Sequence, residues 1–408
     1  MDDSTLRKLA FRHGTPLYVY DGNLIVERCR QFKKAFDGYP AKVRFCYAVK
    51  ANTNLAILTL IRKQGYGADV VSGGELDAAL KAGFAPDGII YTSNSKTEGE
   101  IKAAVKAGIK ITADNLADIS LVKSAGGRKI AFRVNPDVEA NTHPKISTAL
   151  RDSKFGLHFQ DDMAFKAVKK AIDAGLSPSG IHCHIGSNIK DSGAFTEAAE
   201  KMMAFAKKLK DELDVKLSFI DLGGGLGVQY KDEKTLAPEE FSAASKKVVS
   251  DGIKKLGYAP EIWFEPGRFI VAEAGVVLAK VNSVKETPAK KFANVDCGFN
   301  TLIRPAMYDA YHKVRVLGKK GESETYNIAG NLCESGDILA KERALPRIER
   351  GDIIVIQNAG AYGFSMASNY NSQPLPAEAL VRGGRAMIIR ERQNIKDLYL
   401  RQKSPSGL

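Results

Sequence analysis

The sequence is poor in the features that mark membrane, secreted and zinc-stapled proteins. Its longest apolar stretches are short strand-like runs, well under the roughly 20 residues that a membrane helix needs. The first residues, MDDSTLRKLAFRHG, contain no continuous apolar segment, so we expect no signal peptide. The five cysteines are odd in number and form no C-x-x-C pair, which argues against a disulfide framework or a structural zinc site. We therefore expect a protein of the reducing cytoplasm with no membrane partner.

The charge balance is the unusual total. The chain has 60 Lys and Arg residues against 47 Asp and Glu residues, a net charge of +13. A basic chain can indicate nucleic-acid binding, but here the basic residues are spread along the chain and form no cluster flanked by aromatics. We therefore expect no nucleic-acid partner and interpret the excess as solvated surface charge. Contents of 44% hydrophobic and 26% charged residues are ordinary for a globular protein and exclude disordered, collagen-like and coiled-coil classes.

Strand-like runs alternate with amphipathic helix-period segments through the first two thirds of the chain. The eight runs are residues 42–49, 66–72, 88–93, 109–114, 129–135, 180–186, 217–222 and 261–267. Strands alternating with helices predict a parallel sheet, and the span matches the roughly 250 residues of a (β/α)8 barrel. A doubly wound open sheet is the alternative; the number of strands favours closure.

The pattern changes after residue 270, where β-branched runs such as VVLAKVNSVKE and DIIVIQN are separated by Gly and Pro. These runs predict an antiparallel β-domain, and PLYVYD near the N-terminus reads as another of its strands. We therefore predict an α/β protein with a barrel at 36–270 and a β-domain formed by 1–35 plus 271–408. One connection, residues 136–159 between the fifth and sixth strands, is long enough to indicate a functional loop.

Reactive or glycine-rich residues stand where six of the eight predicted strands end. Barrel enzymes carry their active sites at the C-terminal ends of the strands, so these residues are expected to converge. They are Lys50, Asp69, Arg133, His184, Gly223 to Gly225, and Glu265 with Arg268. A lysine drawn into a barrel mouth loses hydration and can act as a nucleophile for a Schiff base. Taken alone, Lys50 can equally be an ordinary surface lysine at a strand end.

The glycines suggest an anion site. Consecutive glycines let backbone N–H groups turn toward one anion, and barrel phosphate sites are often built from the loops after strands seven and eight. Gly223 to Gly225 follow the seventh predicted strand, and Gly267 follows the eighth. A tight turn is the simpler explanation of the glycines alone; their place in the barrel favours phosphate.

The histidine and carboxylate at these strand ends have two readings each. Glu265 either pairs with Arg133 or holds a proton on a heteroaromatic nitrogen. His184 stands two residues after His182, and a zinc site would need a third ligand at a suitable spacing, which we do not find, so no metal is predicted. By its position, His184 is the histidine that we expect to pack flat against a ligand in the barrel mouth. A lysine, a phosphate site, this ring and a carboxylate at one barrel mouth fit pyridoxal 5'-phosphate.

Several ordered motifs then resemble a known family. The run Tyr47-Ala48-Val49-Lys50-Ala51-Asn52, with HIGS (184–187), GGGLG (223–227), EPGR (265–268) and CESGD (333–337), resembles the fold-type III pyridoxal-phosphate decarboxylases, which share an alanine-racemase-like barrel followed by a β-domain. Within that family the resemblance is to the diaminopimelate decarboxylase branch and covers nearly the whole chain. The discriminating parts are CESGD and RVNPDVEANTHPKISTALRDSKFG, which covers residues 136–156 of the long connection.

The resemblance implies a role for each matching residue. Lys50 is expected to form the Schiff base, His184 to stack on the ring, and Glu265 to hold the pyridine nitrogen. The further cofactor contacts implied are Asp69, Arg133, Ser187, Gly223, Gly224, Gly225, Gly267, Arg268 and Tyr362. The substrate contacts implied are Arg268, Arg304, Tyr308, Glu334 and Tyr362. Cys333 is implied as the acid that protonates the carbanion, and in the family it comes with Glu334 from the other subunit, so a homodimer with shared active sites is expected.

The reaction implied is decarboxylation of meso-2,6-diaminopimelate, a small-molecule substrate, at its D-centre to L-lysine and CO2. A racemase of this fold would place an arginine on the ring nitrogen, which Glu265 opposes. Ornithine or arginine decarboxylation is opposed by CESGD and by two arginines suited to a remote carboxylate. Carboxynorspermidine also carries a carboxylate beside its amines, so its decarboxylation stays an alternative. A catalytically silent relative would typically lack Lys50 or Cys333, and both are present.

Overall fold

The chain forms two compact units in a computed structural model that describes residues 1–139, 153–405 and 407. The barrel unit comprises Val26–Gln229 and Glu233–Ile270. The β unit comprises Met1–Ile25, Tyr230–Asp232 and Val271–Leu408.

Strands supply both sheets. They are β1 Leu17–Asp21, β2 Val43–Ala48, β3 Gly67–Val70, β4 Ile89–Tyr91, β5 Lys110–Ala113, β6 Lys129–Asn135, β7 Leu157–His158, β8 Ser177–His182, β9 Phe219–Asp221, β10 Glu261–Phe264, β11 Gly275–Glu286, β12 Lys291–Val295, β13 Val314–Val316, β14 Ser323–Ala329, β15 Ile338–Pro346, β16 Ile353–Ile356, β17 Ala377–Arg382 and β18 Arg385–Arg390.

Helices follow most of the barrel strands. They are α1 Asp3–His13, α2 Gly22–Lys34, α3 Leu55–Arg62, α4 Gly73–Lys81, α5 Glu98–Lys106, α6 Leu116–Ser124, α7 Met163–Asp173, α8 Ser192–Leu213, α9 Pro238–Leu256, α10 Arg268–Val271 and α11 Arg304–Tyr308. Across the described residues, none of these helices combines the length and the apolar character needed to cross a membrane.

Eight parallel strands close into the predicted barrel. The order is β5-β4-β3-β2-β10-β9-β8-β6, and pairing of β5 with β6 completes the ring. Each of the eight sequence-predicted runs overlaps one of these strands, so the barrel is confirmed and the open-sheet alternative is wrong. The short strand β7 pairs with β6 outside the ring. Of the long connection after β6, residues 140–152 lie outside the described part of the chain.

Polar residues at the strand ends start the helices. The side chains of Asn54, Ser72, Thr97, Asn115 and Asp191 each accept an amide hydrogen from the first turn of the helix that follows. Such N-caps satisfy amides that have no partner inside the helix. Each cap therefore ends a strand-to-helix loop on the C-terminal side of the barrel, where the site residues were predicted.

Aromatic packing fills the barrel interior. Cys46, Ile90, Ala131, Phe219 and Trp263 form a buried cluster, and the rings of Phe219 and Trp263 stack with centroids 4.4 Å apart. Gly180 permits this packing, because a Cβ at that position would lie 2.4 Å from the Phe219 ring. Side chains therefore fill the barrel interior below the mouth, and the candidate catalytic residues lie at the strand ends.

The β unit contains a nine-stranded mixed sheet. Its main path is β15-β14-β12-β11-β1-β17-β18, with β16 pairing with β11 and β13. Most pairs are antiparallel, as predicted, but β1 with β17 and β12 with β14 are parallel. Neither parallel pair is joined by a hairpin turn, so a local turn signal could not reveal its direction. The strand predicted at PLYVYD is β1, which lies inside this sheet between β11 and β17.

Candidate active site

Lys50 lies at the barrel mouth and is held by a buried carboxylate. It belongs to the single helical turn Val49–Ala51 that follows β2 directly. Its Nζ lies 2.6 Å from Asp69 Oδ2, and the Asp69 side chain is 0% exposed against 33% for Lys50. Thr92 donates its hydroxyl hydrogen to the other Asp69 oxygen. A fully buried carboxylate is therefore paired on both oxygens, and it fixes the amine at the mouth.

Glu265 is paired with a histidine for which the sequence assigned no role. Glu265 Oε2 lies 3.1 Å from His182 Nε2, and both side chains are buried. Burial opposes ionisation of Glu265, but the charge and hydrogen bond of His182, together with Lys50 and Arg133, outweigh it and lower the pKa of the carboxyl group. Glu265 is therefore an anion in a buried site.

A second carboxyl group, Asp221, lies beside this pair. His182, Asp221 and Glu265 each place a ligand-type atom within 4.8 Å of the others. Burial, followed by repulsion from Glu265, raises the pKa of Asp221 well above its ordinary value. Two buried carboxyl groups this close differ in proton affinity, and Asp221 holds a proton more tightly than Glu265 does. The sequence analysis found no third metal ligand for His182, because Asp221 and Glu265 lie at the ends of two other strands.

Arg133 supports the mouth without contacting Glu265 in an ion pair. Its Nε lies 3.7 Å from Asp114 Oδ2, and its Nη1 donates to the Thr92 carbonyl at 3.3 Å. Its guanidinium lies over the Phe155 ring, 4.4 Å from the centroid. Of the two readings of Glu265, direct pairing with Arg133 is therefore wrong in this structure; Arg133 acts on Glu265 through its charge.

His184 presents a neutral ring at the same mouth. It follows β8 closely and its Nδ1 accepts the Gly224 amide hydrogen at 3.3 Å. Loss of hydration around the ring, together with the positive charges of Lys50 and Arg133, lowers the pKa of His184 well below its ordinary value. A neutral imidazole suits stacking on a flat cofactor better than an imidazolium does.

The glycine loop leaves no room for side chains. A Cβ on Gly224 would lie 2.1 Å from the Glu265 carbonyl oxygen, and one on Gly223 would lie 2.4 Å from that of Cys183. Gly225 has φ +117°, a conformation that other residues rarely adopt. The Gly223 and Gly224 amides donate to Asp221 and His184, so the loop is built into the carboxylate and histidine cluster.

Arg268 and Ser187 are joined by hydrogen bonds within the barrel unit. Arg268 donates to Ser187 Oγ from Nε at 3.2 Å and from Nη2 at 2.9 Å. Gly267 lies against Ala48, since a Cβ there would be 3.0 Å from that of Ala48. The backbone N–H of Ala48 also donates to the Pro266 carbonyl at 3.1 Å. The strand ends that carry Lys50 and EPGR are therefore joined directly.

Five of the predicted site residues belong to the β unit. Arg304 begins α11 and is buried, and Tyr308 ends that helix half-buried. Cys333 and Glu334 are exposed on the loop 331–337, where the Cys333 amide donates to Asn371 Oδ1 at 2.9 Å and Tyr370 donates its hydroxyl hydrogen to Glu334. Tyr362 is half-buried with a positive φ of 55°.

Four further residues support these positions and were missed in the sequence. They are His182, Asp221, His312 and Asp337. Asp337, the last residue of CESGD, accepts the Phe299 and Leu332 amides and so shapes the loop that carries Cys333. The only available signal was their position beside motifs, because their partners are distant in the sequence.

The residues of the mouth fit pyridoxal phosphate. Glu265 Oε1 is buried beside the Asp221 carboxyl group and accepts no N–H from the residues that the structure describes, which fits a carboxylate that receives the proton of a ring nitrogen. The glycine loop leaves backbone close to any ligand, and the Lys50 amine stands nearby at the strand end. The barrel unit therefore supplies an amine (Lys50), an anion (Glu265), a neutral ring (His184) and a glycine loop for the cofactor.

Comparison with known proteins also points to a pyridoxal-dependent enzyme. Residues 23–272 match the family described as "Pyridoxal-dependent decarboxylase, pyridoxal binding domain". The diaminopimelate decarboxylase of Archaeoglobus fulgidus is 44% identical over 97% of this chain and 94% of its own length. That of Vibrio cholerae is 39% identical over 97% of this chain and 94% of its own length.

Solved structures extend the match to the whole fold. The Helicobacter pylori diaminopimelate decarboxylase complexed with L-lysine has 37% identity and a TM-score of 0.90, covering 97% of this chain and 98% of that one. The family model covers residues 23–272, and the sequence identity and the fold match extend over nearly the full length of the chain. The chain therefore belongs to the diaminopimelate decarboxylases, within the pyridoxal-dependent decarboxylase family.

Proposed function

We propose that the protein removes CO2 from the D-centre of meso-2,6-diaminopimelate and releases L-lysine. The observation that carries this proposal is the convergence of Lys50, ionised Glu265 and neutral His184 at one barrel mouth, in a chain that is 44% identical to a diaminopimelate decarboxylase. The L-lysine in solved structures of related enzymes supports the same product.

Lys50 and Glu265 carry the proposed chemistry at the mouth. Bound pyridoxal phosphate supplies the electron sink that accepts the electron pair left by CO2. Lys50 would hold the cofactor through its amine, and Asp69, 2.6 Å from that amine, keeps it at the barrel mouth. Glu265 would hold a proton on the ring nitrogen, and this fixed negative charge would strengthen the electron sink that the cofactor supplies. Asp221, as a neutral acid, adds no second negative charge beside Glu265.

Backbone amides and hydroxyls form the proposed phosphate site. Gly223 and Gly224 use their amides within the protein, so Gly225 is the loop residue proposed to face the phosphate. Gly267 and Ser187 are proposed beside it, with Arg268 held by its two bonds to Ser187. Tyr362 is proposed as a further phosphate contact. Fixed donors of this kind bind an anion with little reorganisation.

Substrate selection is proposed to depend on the end of the molecule that does not react. Arg304 and Arg268 bind the remote carboxylate, since a guanidinium matches a carboxylate with two parallel hydrogen bonds. Glu334 pairs with the remote ammonium, and Tyr308 and Tyr362 line the same substrate. Anchoring the L-centre in this way presents the D-centre to the cofactor.

A homodimer with shared active sites is part of the proposal. Cys333 is proposed to protonate Cα in the site of the second subunit, with Glu334 alongside it. The exposure of both side chains supports this role, because an exposed loop pinned by Asp337 can be covered by another chain. That the enzyme works in the reducing cytoplasm stays a prediction from its free cysteines.

Release of CO2 from meso-diaminopimelate tests the proposal. The purified, cofactor-loaded enzyme is assayed with that substrate and with its LL and DD isomers, ornithine, arginine and carboxynorspermidine. We expect turnover of the meso isomer to L-lysine and a loss of at least about 100-fold in kcat/KM for substrates that lack the remote carboxylate. Comparable turnover of carboxynorspermidine or ornithine would replace the proposed substrate.

A further inference from the structure

The buried guanidinium of Arg304 is held by a fully buried histidine, His312. Arg304 Nη1 lies 3.0 Å from His312 Nε2, and His312 Nδ1 lies 2.8 Å from the Gln357 carbonyl oxygen. His312 is 0% exposed and Arg304 is 6% exposed. All three residues belong to the β unit.

Only one protonation state satisfies both contacts. An arginine N–H can only donate, so Nε2 of His312 must accept; a carbonyl can only accept, so Nδ1 must donate. His312 is therefore a neutral imidazole with its proton on Nδ1. An imidazolium would turn an N–H of the ring toward an N–H of Arg304, with two positive charges in contact.

The surroundings fix both side chains. The Arg304 guanidinium lies over the Tyr230 ring, 4.5 Å from its centroid, and the His312 ring meets the same tyrosine edge-on at 5.5 Å. His312 precedes β13 and Gln357 follows β16, two strands that pair with each other. The Gln357 amide also donates to the Lys313 carbonyl at 2.9 Å. The sheet therefore positions the histidine, and the histidine orients the arginine.

We propose that His312 is a positioning residue for substrate specificity, which orients Arg304 toward the carboxylate of the unreacting end of the substrate. This inference rests on the proposed function, in which Arg304 binds that carboxylate. A guanidinium confined to one plane loses less conformational freedom when it forms the paired hydrogen bonds than a mobile one does. Removing the acceptor at Nε2 therefore weakens carboxylate recognition and leaves amine recognition unchanged.

Two ligands that differ only in that carboxylate test the proposal. The cofactor-loaded enzyme and its variants are titrated calorimetrically with L-lysine and with 1,5-diaminopentane. In His312→Leu we expect L-lysine to bind at least about tenfold more weakly, while diaminopentane affinity changes less than about twofold. His312→Gln keeps an acceptor and a donor on one side chain, so it should recover most of the L-lysine affinity.

Two control variants separate the possible failures. Ile356→Val removes one buried methylene from β16 and should lower the melting temperature without changing the preference for L-lysine. Arg304→Gln should lower that preference at least as much as His312→Leu does, while Arg268 remains in place. If Arg304→Gln keeps the preference, the proposed carboxylate site is wrong. If Arg304→Gln loses it and His312→Leu keeps it, or if both ligands weaken equally in His312→Leu, the positioning role of His312 is wrong.

Discussion

The barrel mouth and the loop 331–337 are held in opposite ways. At the mouth, Asp69, His182, Asp221 and Glu265 are buried and interact with one another or with a neighbouring side chain. On the loop, Asp337 holds the backbone while the Cys333 and Glu334 side chains are exposed. Buried groups have their ionisation states set by their own chain. Exposed groups acquire an environment only when something covers them, and in the proposed dimer that is the second subunit.

The cysteines show the same contrast. Burial raises the pKa of Cys29 to about 12 and that of Cys46 well above its ordinary value, so neither thiol ionises near neutral pH. Cys183 and Cys297 are also buried, and Cys333 alone of the five is exposed. Four thiols are therefore core side chains, and the fifth is available for chemistry.

Replacing Lys50 should have the largest effect on the barrel side of this comparison. In Lys50→Ala the amine that holds the cofactor is gone, so activity should fall by at least about 1,000-fold and the visible absorption of the Schiff base should disappear. Lys81→Ala, on an exposed helix face, is the matched control and should change neither. A Schiff-base spectrum that survives in Lys50→Ala would assign the cofactor to another lysine.

The two carboxyl groups of the mouth should respond differently to conversion to amides. Glu265→Gln removes the anion on the ring nitrogen and should lower kcat by about 100-fold. Asp221→Asn keeps a neutral donor and the acceptor for the Gly223 amide, so kcat should stay within about threefold of the wild type. Equal losses in the two variants, measured in parallel with melting temperatures, would mean that Asp221 works as an anion.

Mixing two inactive variants tests the loop side and has the smallest expected departure from wild type. Lys50→Ala and Cys333→Ala chains, combined after subunit exchange, should regain about a quarter of wild-type activity, because half of the dimers are mixed and each has one intact site. Each variant exchanged with itself is the control. Mixed dimers that form, verified by a size tag, but remain inactive would contradict the shared site.

Much of the fold could be read from local pattern. The strand at 129–135 begins and ends as predicted, because alternating apolar residues bounded by turn signals determine a strand within a few residues. The parallel pairing of β1 with β17 could not be read, since the two strands are 356 or more residues apart and no turn joins them. Strands this far apart in the sequence can pair only after the folded chain has brought them together.

The candidate site divides in the same way. Lys50, the glycine loop and EPGR are visible in the sequence because each occupies a strand end, and strand ends of a parallel barrel meet. The choice of partner for Glu265 is not visible, since His182 lies 83 residues away and Arg133 was an equally reasonable neighbour.

By itself, then, the sequence determined the order of strands and helices, the residues at their ends and the family to which they belong. These are properties of local pattern and of motif spacing. Only the tertiary structure decided which carboxyl group is ionised, which histidine contacts it and which nitrogen of His312 carries the proton. Each of these depends on burial and on charges that arrive from separate strands, and neither quantity exists until the chain has folded.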